Sequence, residues 1–169
     1  MSLEVRNVMV DKVLTVEADA SLTEAVKLMN KHEIGCLVVM KNGAPVGIVT
    51  ERDFLKRVLA ESEELKRIKV KEVMSRPLVT GDPDMELEEV ARLMFQRKVK
   101  KLPLVENGTL VGLVTLTDLL RIQPQIIKMY KIFTTELAPK RMKKVFDYYL
   151  LIRPERKLIG IEHYRKHVR

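Results

Sequence analysis

The first part of the chain alternates between apolar positions spaced as in a helix and short apolar runs typical of strands. The spacing i, i+3, i+4, i+7 holds for Leu22, Ala25, Val26 and Met29. Two apolar runs come next, at 36–40 and 46–49, and the Asn42-Gly43 pair between them suits a tight hairpin because both residues tolerate positive φ. With an extended segment at 13–16 and a further helix after the second run, the pattern predicts the order β-α-β-β-α.

The same pattern recurs without a gap when the sequence is shifted by 65 positions. The second copy has its predicted strands at 78–80, 102–105 and 110–114. An unbroken register of this kind indicates duplication of one structural unit. Because neither copy is expected to cover its three-stranded sheet alone, we predict an α+β fold in which the two repeats pack together with pseudo-two-fold symmetry.

Charge divides the chain into two parts. Residues 1–123 hold 19 basic and 19 acidic side chains, whereas residues 124–169 hold 12 basic and 4 acidic ones, so the whole net charge of +8 lies in the tail. Six of the eight aromatic residues lie there too. We therefore predict a first repeat with its linker at 1–65, a second repeat at 66–123, and a basic, aromatic-rich and mainly helical extension at 124–169.

Composition also limits the class of protein. No apolar run approaches the ~18 residues that span a bilayer, and the N-terminus lacks the features of a secretion signal. Cys36 is the single cysteine, which fits a reducing cytoplasm, and its place in an apolar run predicts a buried, inert thiol. No catalytic residue set and no metal-ligand cluster emerges. We expect a cytoplasmic protein without enzymatic activity, metal, obligatory cofactor or membrane attachment.

Two short stretches, GIVTERD and GLVTLTD, each end an apolar run with Thr-x-x-Asp, at 50–53 and 115–118. A threonine before a helix and an acidic residue three positions later can satisfy free backbone amides and face the helix dipole favourably. The same carboxylate could instead accept hydrogen bonds from the two hydroxyls of a ribose. The pattern alone leaves a helix cap and a ligand-binding group as alternatives.

Three kinds of short motif carry a family resemblance. They are the Val-Met pairs at 8–9 and 73–74, KKLPLV at 100–105, and the two Gly-x-x-Thr-x-x-Asp segments. In these motifs, over about residues 3–122, the chain resembles a tandem pair of cystathionine β-synthase (CBS) domains, also called a Bateman module. The resemblance implies a regulatory module for energy sensing that binds AMP, ADP, ATP or S-adenosylmethionine in two clefts, and commonly a disc-shaped homodimer.

The resemblance also implies which residues form the two clefts. The first would combine Thr50, Arg52, Asp53, Ser75, Leu78, Lys100 and Lys101. The second would combine Val10, Val13, Gly35, Cys36, Thr115, Thr117 and Asp118. The first cleft has a serine hydroxyl and three basic side chains for phosphate, whereas the second has uncharged residues at these places. We expect stronger phosphate binding in the first cleft, and a nucleoside or no ligand in the second.

The basic tail at 124–169 admits two interpretations. Its apolar stripe would be buried if the tail packs on the repeats or on a second subunit. Its lysines and tyrosines could alternatively form a surface for nucleic acid or an acidic protein partner, with the repeat pair as a dimerisation unit. No known DNA- or RNA-binding motif appears in the tail, so the first interpretation is favoured and the second stays an alternative.

Overall fold

The computed structural model describes residues 3–57 and 67–122. The predicted extension at 124–169, with both interpretations of its role, lies outside the described residues. No helix within the two described ranges is long and apolar enough to cross a bilayer.

The first repeat forms a three-stranded sheet with two helices. Its elements are β1 (Thr15–Glu17), α1 (Leu22–His32), β2 (Cys36–Lys41), β3 (Ala44–Thr50) and α2 (Glu51–Arg57). β1 pairs with β2 in parallel and β2 pairs with β3 antiparallel, which gives the strand order β1-β2-β3. The predicted order β-α-β-β-α is confirmed, although β1 begins two residues later than the extended segment predicted at 13–16.

Both predicted hairpin turns are present. Asn42 and Gly43 have φ of 51° and 78°, and their counterparts Asn107 and Gly108 have φ of 49° and 81°. Two consecutive residues with positive φ match the twist of the flanking strands, and Asn-Gly adopts this conformation at little cost. The two turns therefore fix the same hairpin register in both repeats.

The helix of the first unit begins at a serine cap. The Oγ of Ser21 accepts a hydrogen bond of 3.2 Å from the backbone N–H of Glu24, which satisfies one free amide of the first turn. Of the predicted apolar positions on α1, Leu22, Ala25 and Met29 are buried and Val26 is half-buried. The predicted apolar face is thus the face that packs on the sheet.

The second repeat differs from the first in its sheet. Its elements are α3 (Val70–Val73), α4 (Leu87–Arg97), β4 (Lys101–Glu106), β5 (Thr109–Thr115) and α5 (Leu116–Ile122). β4 and β5 form a two-stranded sheet, so the third strand predicted at 78–80 is wrong. An isolated parallel bridge, between Gly81 and Leu104, stands where β1 pairs with β2 in the first repeat.

A difference in packing accompanies the lost strand. A Cβ at Gly81 would come 2.8 Å from Cδ2 of Leu102 and 3.2 Å from Cδ2 of Leu104, so a larger residue would require these leucine side chains to shift. Pro83 follows two residues later and has no N–H to donate to a neighbouring strand. Gly81 keeps its bridge to Leu104, and the proline removes a donor from the residues that follow.

Each repeat's core is completed by the segment that begins the other repeat. The core of the second repeat includes Val5 and Val8, which are far from it in sequence. The core of the first repeat includes four residues that precede the second sheet, Ile68, Val70, Val73 and Met74. Backbone hydrogen bonds of 2.9 Å fix both exchanges, one from Val5 N–H to the Met85 carbonyl and one from Leu22 N–H to the Ile68 carbonyl. The predicted packing of the two repeats is therefore an exchange of segments.

Ion pairs also connect each exchanged segment to the repeat that it enters. Arg6 donates to Asp84 and to Glu106, each at 2.6 Å from Nη2. At the equivalent place, Lys71 donates to Asp19, and this hydrogen bond holds the pKa of the Asp19 carboxyl below its usual value. All of these side chains are well exposed, so we assign the pairs a role in the register of the segments rather than much stability.

Candidate functional site

Two methionine–glycine contacts bring the repeats together at the middle of β3 and β5. A Cβ at Gly47 would lie 2.6 Å from Sδ of Met74, and a Cβ at Gly112 would lie 2.2 Å from Sδ of Met9. Each glycine therefore admits the methionine of the exchanged segment against the strand. The residue after each methionine is held at a fixed place beside the Thr-x-x-Asp of the other repeat.

Ser75 is that residue in the first cleft. Its backbone N–H donates to the Ile48 carbonyl at 2.8 Å, and its carbonyl accepts from Ile48 N–H at 3.2 Å. Because Ile48 lies two residues before Thr50, this bridge places the serine side chain next to Asp53. The Oγ of Ser75 donates to Oδ1 of Asp53 at 3.2 Å. The structure thus brings together three of the residues predicted for the first cleft.

The other carboxylate oxygen of Asp53 is occupied by the helix cap. Oδ2 accepts from the backbone N–H of Thr50 at 2.9 Å and from its Oγ1 at 2.7 Å. Asp118 repeats this arrangement in the second cleft, where Oδ2 accepts from N–H and Oγ1 of Thr115 at 3.0 and 2.6 Å. The helix-cap interpretation is confirmed for both stretches.

The cap does not exhaust what these carboxylates offer. Asp53 and Asp118 are 8% and 7% exposed, and they are the buried charged side chains of the described residues. Burying a carboxylate is costly unless hydrogen bonds compensate it, and the two threonines supply that compensation. The arrangement holds a rigid acceptor at the same place in each repeat, so the ligand-binding interpretation remains compatible with the cap.

The second cleft has Val10 where the first has Ser75. Val10 exchanges backbone hydrogen bonds of 2.9 Å with Leu113, two residues before Thr115. The backbone geometry of the two clefts is therefore equivalent, and they differ in the side chain presented to the aspartate. A valine donates no hydrogen bond from its side chain.

Lys101 lies across the boundary between the repeats. Its ammonium group donates to the carbonyl of Gly35 at 2.8 Å, and the Glu51 N–H reaches the same carbonyl at 3.4 Å. A Cβ at Gly35 would lie 3.1 Å from Oε2 of Glu51 and 3.4 Å from Nζ of Lys101. The lysine therefore stands beside the first residue of α2, next to Thr50, and its assignment to the first cleft stays a prediction.

Gly35 and Cys36, which were predicted for the second cleft, have contacts near Thr50. Cys36 pairs with Thr50 in the β2–β3 ladder, and Lys101 pairs with Thr115 in the β4–β5 ladder. The ladder and the Lys101 hydrogen bond connect Gly35 and Cys36 to the Thr50 corner. Their assignment to the second cleft stays a prediction.

The remaining predicted residues surround the two corners. Arg52 is exposed on the first turn of α2, and Thr117 is half-buried on the first turn of α5. Leu78 and Val13 are half-buried in the segments that follow Ser75 and Val10. Lys100 is exposed, and its carbonyl accepts from Leu116 N–H at 2.9 Å.

The Cys36 thiol is buried, as predicted. Burial raises its pKa, the neighbouring Lys101 ammonium lowers it, and the Glu51 carboxylate raises it. Burial is the largest of these effects, so the thiol is a poor nucleophile.

We expect iodoacetamide at pH 8 to modify Cys36 at least about tenfold more slowly than a free thiol, because the thiolate is the reacting form. Lys101→Met should move the midpoint of the rate–pH profile to higher pH, and Glu51→Gln should move it to lower pH, since the two charges act in opposite directions. Mass spectrometry of timed samples gives the rates. A midpoint that moves the same way in both variants would contradict the assigned cause.

Sequence reasoning missed the role of Glu51 and of the two methionine–glycine contacts. Gly47 and Gly112 each stand inside an apolar strand, where a glycine often marks the close approach of another segment. The Val-Met pairs at 8–9 and 73–74 contain the methionines that make this close approach. What the sequence could not supply was which repeat each methionine would enter.

Comparison with known proteins agrees with this architecture. The family model of the CBS domain matches the chain twice, at residues 5–60 and 70–124. The chain belongs to the CBS domain family. The two matches correspond to the two repeats, so the repeat pair is a tandem pair of CBS domains.

Relatives and solved structures share the CBS pair. The CBS domain-containing protein YhcV of Bacillus subtilis is 38% identical over 115 residues, which are 68% of this chain and 81% of that protein. Inosine-5′-monophosphate dehydrogenase of Bifidobacterium longum is 42% identical over 116 residues, which are 67% of this chain and 21% of the enzyme. The hexameric CBS-CP12 protein from bloom-forming cyanobacteria has a TM-score of 0.68 and 32% identity, with 75% of each chain covered.

Proposed function

We propose that this CBS pair is a regulatory module that binds adenosine-containing ligands, namely AMP, ADP, ATP or S-adenosylmethionine, in the clefts between its repeats. One observation carries the proposal. Each repeat holds a buried carboxylate, Asp53 or Asp118, at the end of its hairpin and next to a segment of the other repeat. A carboxylate can accept from both hydroxyls of a ribose, and its charge strengthens both bonds.

The clefts differ in their attraction for phosphate. Arg52 lies on the first turn of α2, and the Lys101 ammonium reaches the Gly35 carbonyl beside it, with Lys100 as its neighbour in sequence. The equivalent positions of the other repeat are uncharged. Guanidinium and ammonium groups are the side chains that recognise phosphate. We therefore assign the nucleotide to the first cleft, and a nucleoside or no ligand to the second.

Regulation by such a ligand requires two arrangements of the repeats with different affinities for it. The ligand would contact both repeats at once, so that its binding shifts their relative position. The hexameric assembly of the CBS-CP12 protein supports an oligomeric state for this chain too, with a homodimer as its smallest form. The dehydrogenase match covers 21% of that enzyme, so it is no support for catalysis by this chain.

The test begins with the purified protein. Mass spectrometry of small molecules released on denaturation should identify an adenosine-containing compound. Isothermal titration of the stripped protein with AMP, ADP, ATP and S-adenosylmethionine should then give saturable binding for at least one, and GMP serves as the comparison ligand. Absence of both a released compound and saturable binding would contradict the proposal.

A further inference from the structure

Ser75 holds an acceptor that a ribose ligand would use. A carboxylate has about four lone-pair positions, two on each oxygen. On Asp53, both positions of Oδ2 are taken by N–H and Oγ1 of Thr50, and one position of Oδ1 is taken by the hydroxyl of Ser75. With the serine in place, Asp53 can therefore accept one more hydrogen bond, whereas a ribose offers two hydroxyls.

The serine cannot simply move away with its backbone. Two hydrogen bonds join Ser75 to Ile48, and the preceding Met74 packs where Gly47 leaves room. Its side chain can rotate about χ1, but its Cα remains at the corner. The competition at Oδ1 is thus built into the contact between the repeats and does not depend on a flexible loop.

We propose that Ser75 competes with the ligand for Asp53, so that full engagement of a ribose requires displacement of the serine hydroxyl. This inference rests on the proposed function. It reverses the direct ligand contact that the resemblance implies for Ser75, because a contacting residue strengthens binding and a competing residue weakens it. The inference also predicts an effect of Ser75 on specificity. A 2′-deoxyribose has one hydroxyl to donate to Asp53, so it can bind without displacing the serine hydroxyl.

The test is the affinity for AMP and for 2′-deoxyAMP, measured by isothermal titration of the full chain in an Asp118→Asn background, which weakens ribose binding in the second cleft and is the same for every variant compared. Ser75→Ala should bind AMP roughly threefold to tenfold more tightly, the range of one net hydrogen bond. Its preference for AMP over 2′-deoxyAMP should rise by a similar factor, because both ribose hydroxyls then find an acceptor. Ser75→Thr keeps the hydroxyl and should match the parent protein.

Two further variants keep the result interpretable. Ser75→Val copies Val10 of the other repeat and should act as Ser75→Ala does. Ser21→Ala removes a serine hydroxyl that caps α1 away from the cleft, and it should leave both affinities unchanged. Weaker or equal AMP binding by Ser75→Ala and Ser75→Val, with binding intact in the parent, would overturn this inference alone. Lack of binding by every protein would overturn the proposed function and this inference with it.

Discussion

Gly112→Val is expected to lower the free energy of unfolding by roughly 3 kcal/mol, although valine favours strands and Gly112 lies within β5. The added Cβ would stand 2.2 Å from Sδ, 2.9 Å from Cγ and 3.2 Å from Cβ of Met9. The clash reaches back to the Cβ of the methionine, so a change of side-chain rotamer cannot relieve all of it. Urea or thermal unfolding gives the measurement.

A double-mutant cycle separates this clash from other effects. Met9→Ala alone should destabilise the protein by leaving a cavity, but it should make Gly112→Val less harmful, with a coupling free energy of about 2 kcal/mol. Gly108→Ala is the matched control, because Gly108 has φ of 81° and a Cβ there would meet no atom of the described residues within 4 Å. Its cost of about 1 kcal/mol comes from the backbone, so Met9→Ala should simply add to it. Additive losses for Gly112→Val would contradict the proposed contact.

Asp53→Ala is expected to weaken AMP binding by roughly thirtyfold, since the two ribose hydrogen bonds to a charged group that are lost outweigh the displaced Ser75 bond by about 2 kcal/mol. Asp118→Ala should weaken it less than about tenfold, because its cleft lacks the basic side chains that attract phosphate. Adenosine should discriminate less between the two variants than AMP does. Isothermal titration of both ligands against both variants checks this.

The two aspartate variants control for each other. Both carboxylates accept from the N–H and hydroxyl of their threonine with nearly the same distances, so both variants lose an equivalent helix cap. Each should lose about 1 kcal/mol of stability with its cap, and Asp53→Ala should lose the Ser75 hydrogen bond in addition, as thermal unfolding would show. Equal losses of AMP affinity would contradict the difference between the clefts, and no loss in either would contradict the role of the carboxylates.

Local features of the fold could be predicted because each depends on neighbours in sequence. The Asn-Gly turns at 42–43 and 107–108 need only two adjacent residues of the right conformation. The Thr-x-x-Asp caps close within one turn of a helix. The third strand was mispredicted for the opposite reason, since its pairing depends on residues across the sheet, where the segment keeps a single bridge between Gly81 and Leu104.

The candidate clefts could be predicted only in part. The family resemblance places Ser75 in one cleft with Thr50 and Asp53. The structure adds the hydrogen bond from Ser75 to Asp53, on which the proposed competition with the ribose rests. The contact of Lys101 with the Gly35 carbonyl depends on how the repeats are packed, which no local pattern encodes. The sequence indicates which polar side chains belong to the clefts, but not which hydrogen-bond partner each of them has.

The exchanged N-terminal segments set the order in which this protein can form during synthesis. When the ribosome has made the first repeat, the residues that finish its core, Ile68 to Met74, are not yet translated. Val5 can be buried only later, because its partners belong to the second repeat. The Arg6–Glu106 contact spans 100 residues. Contacts this distant in sequence slow folding. The pair should therefore fold as one cooperative unit after both repeats have left the ribosome, and not as two domains in succession.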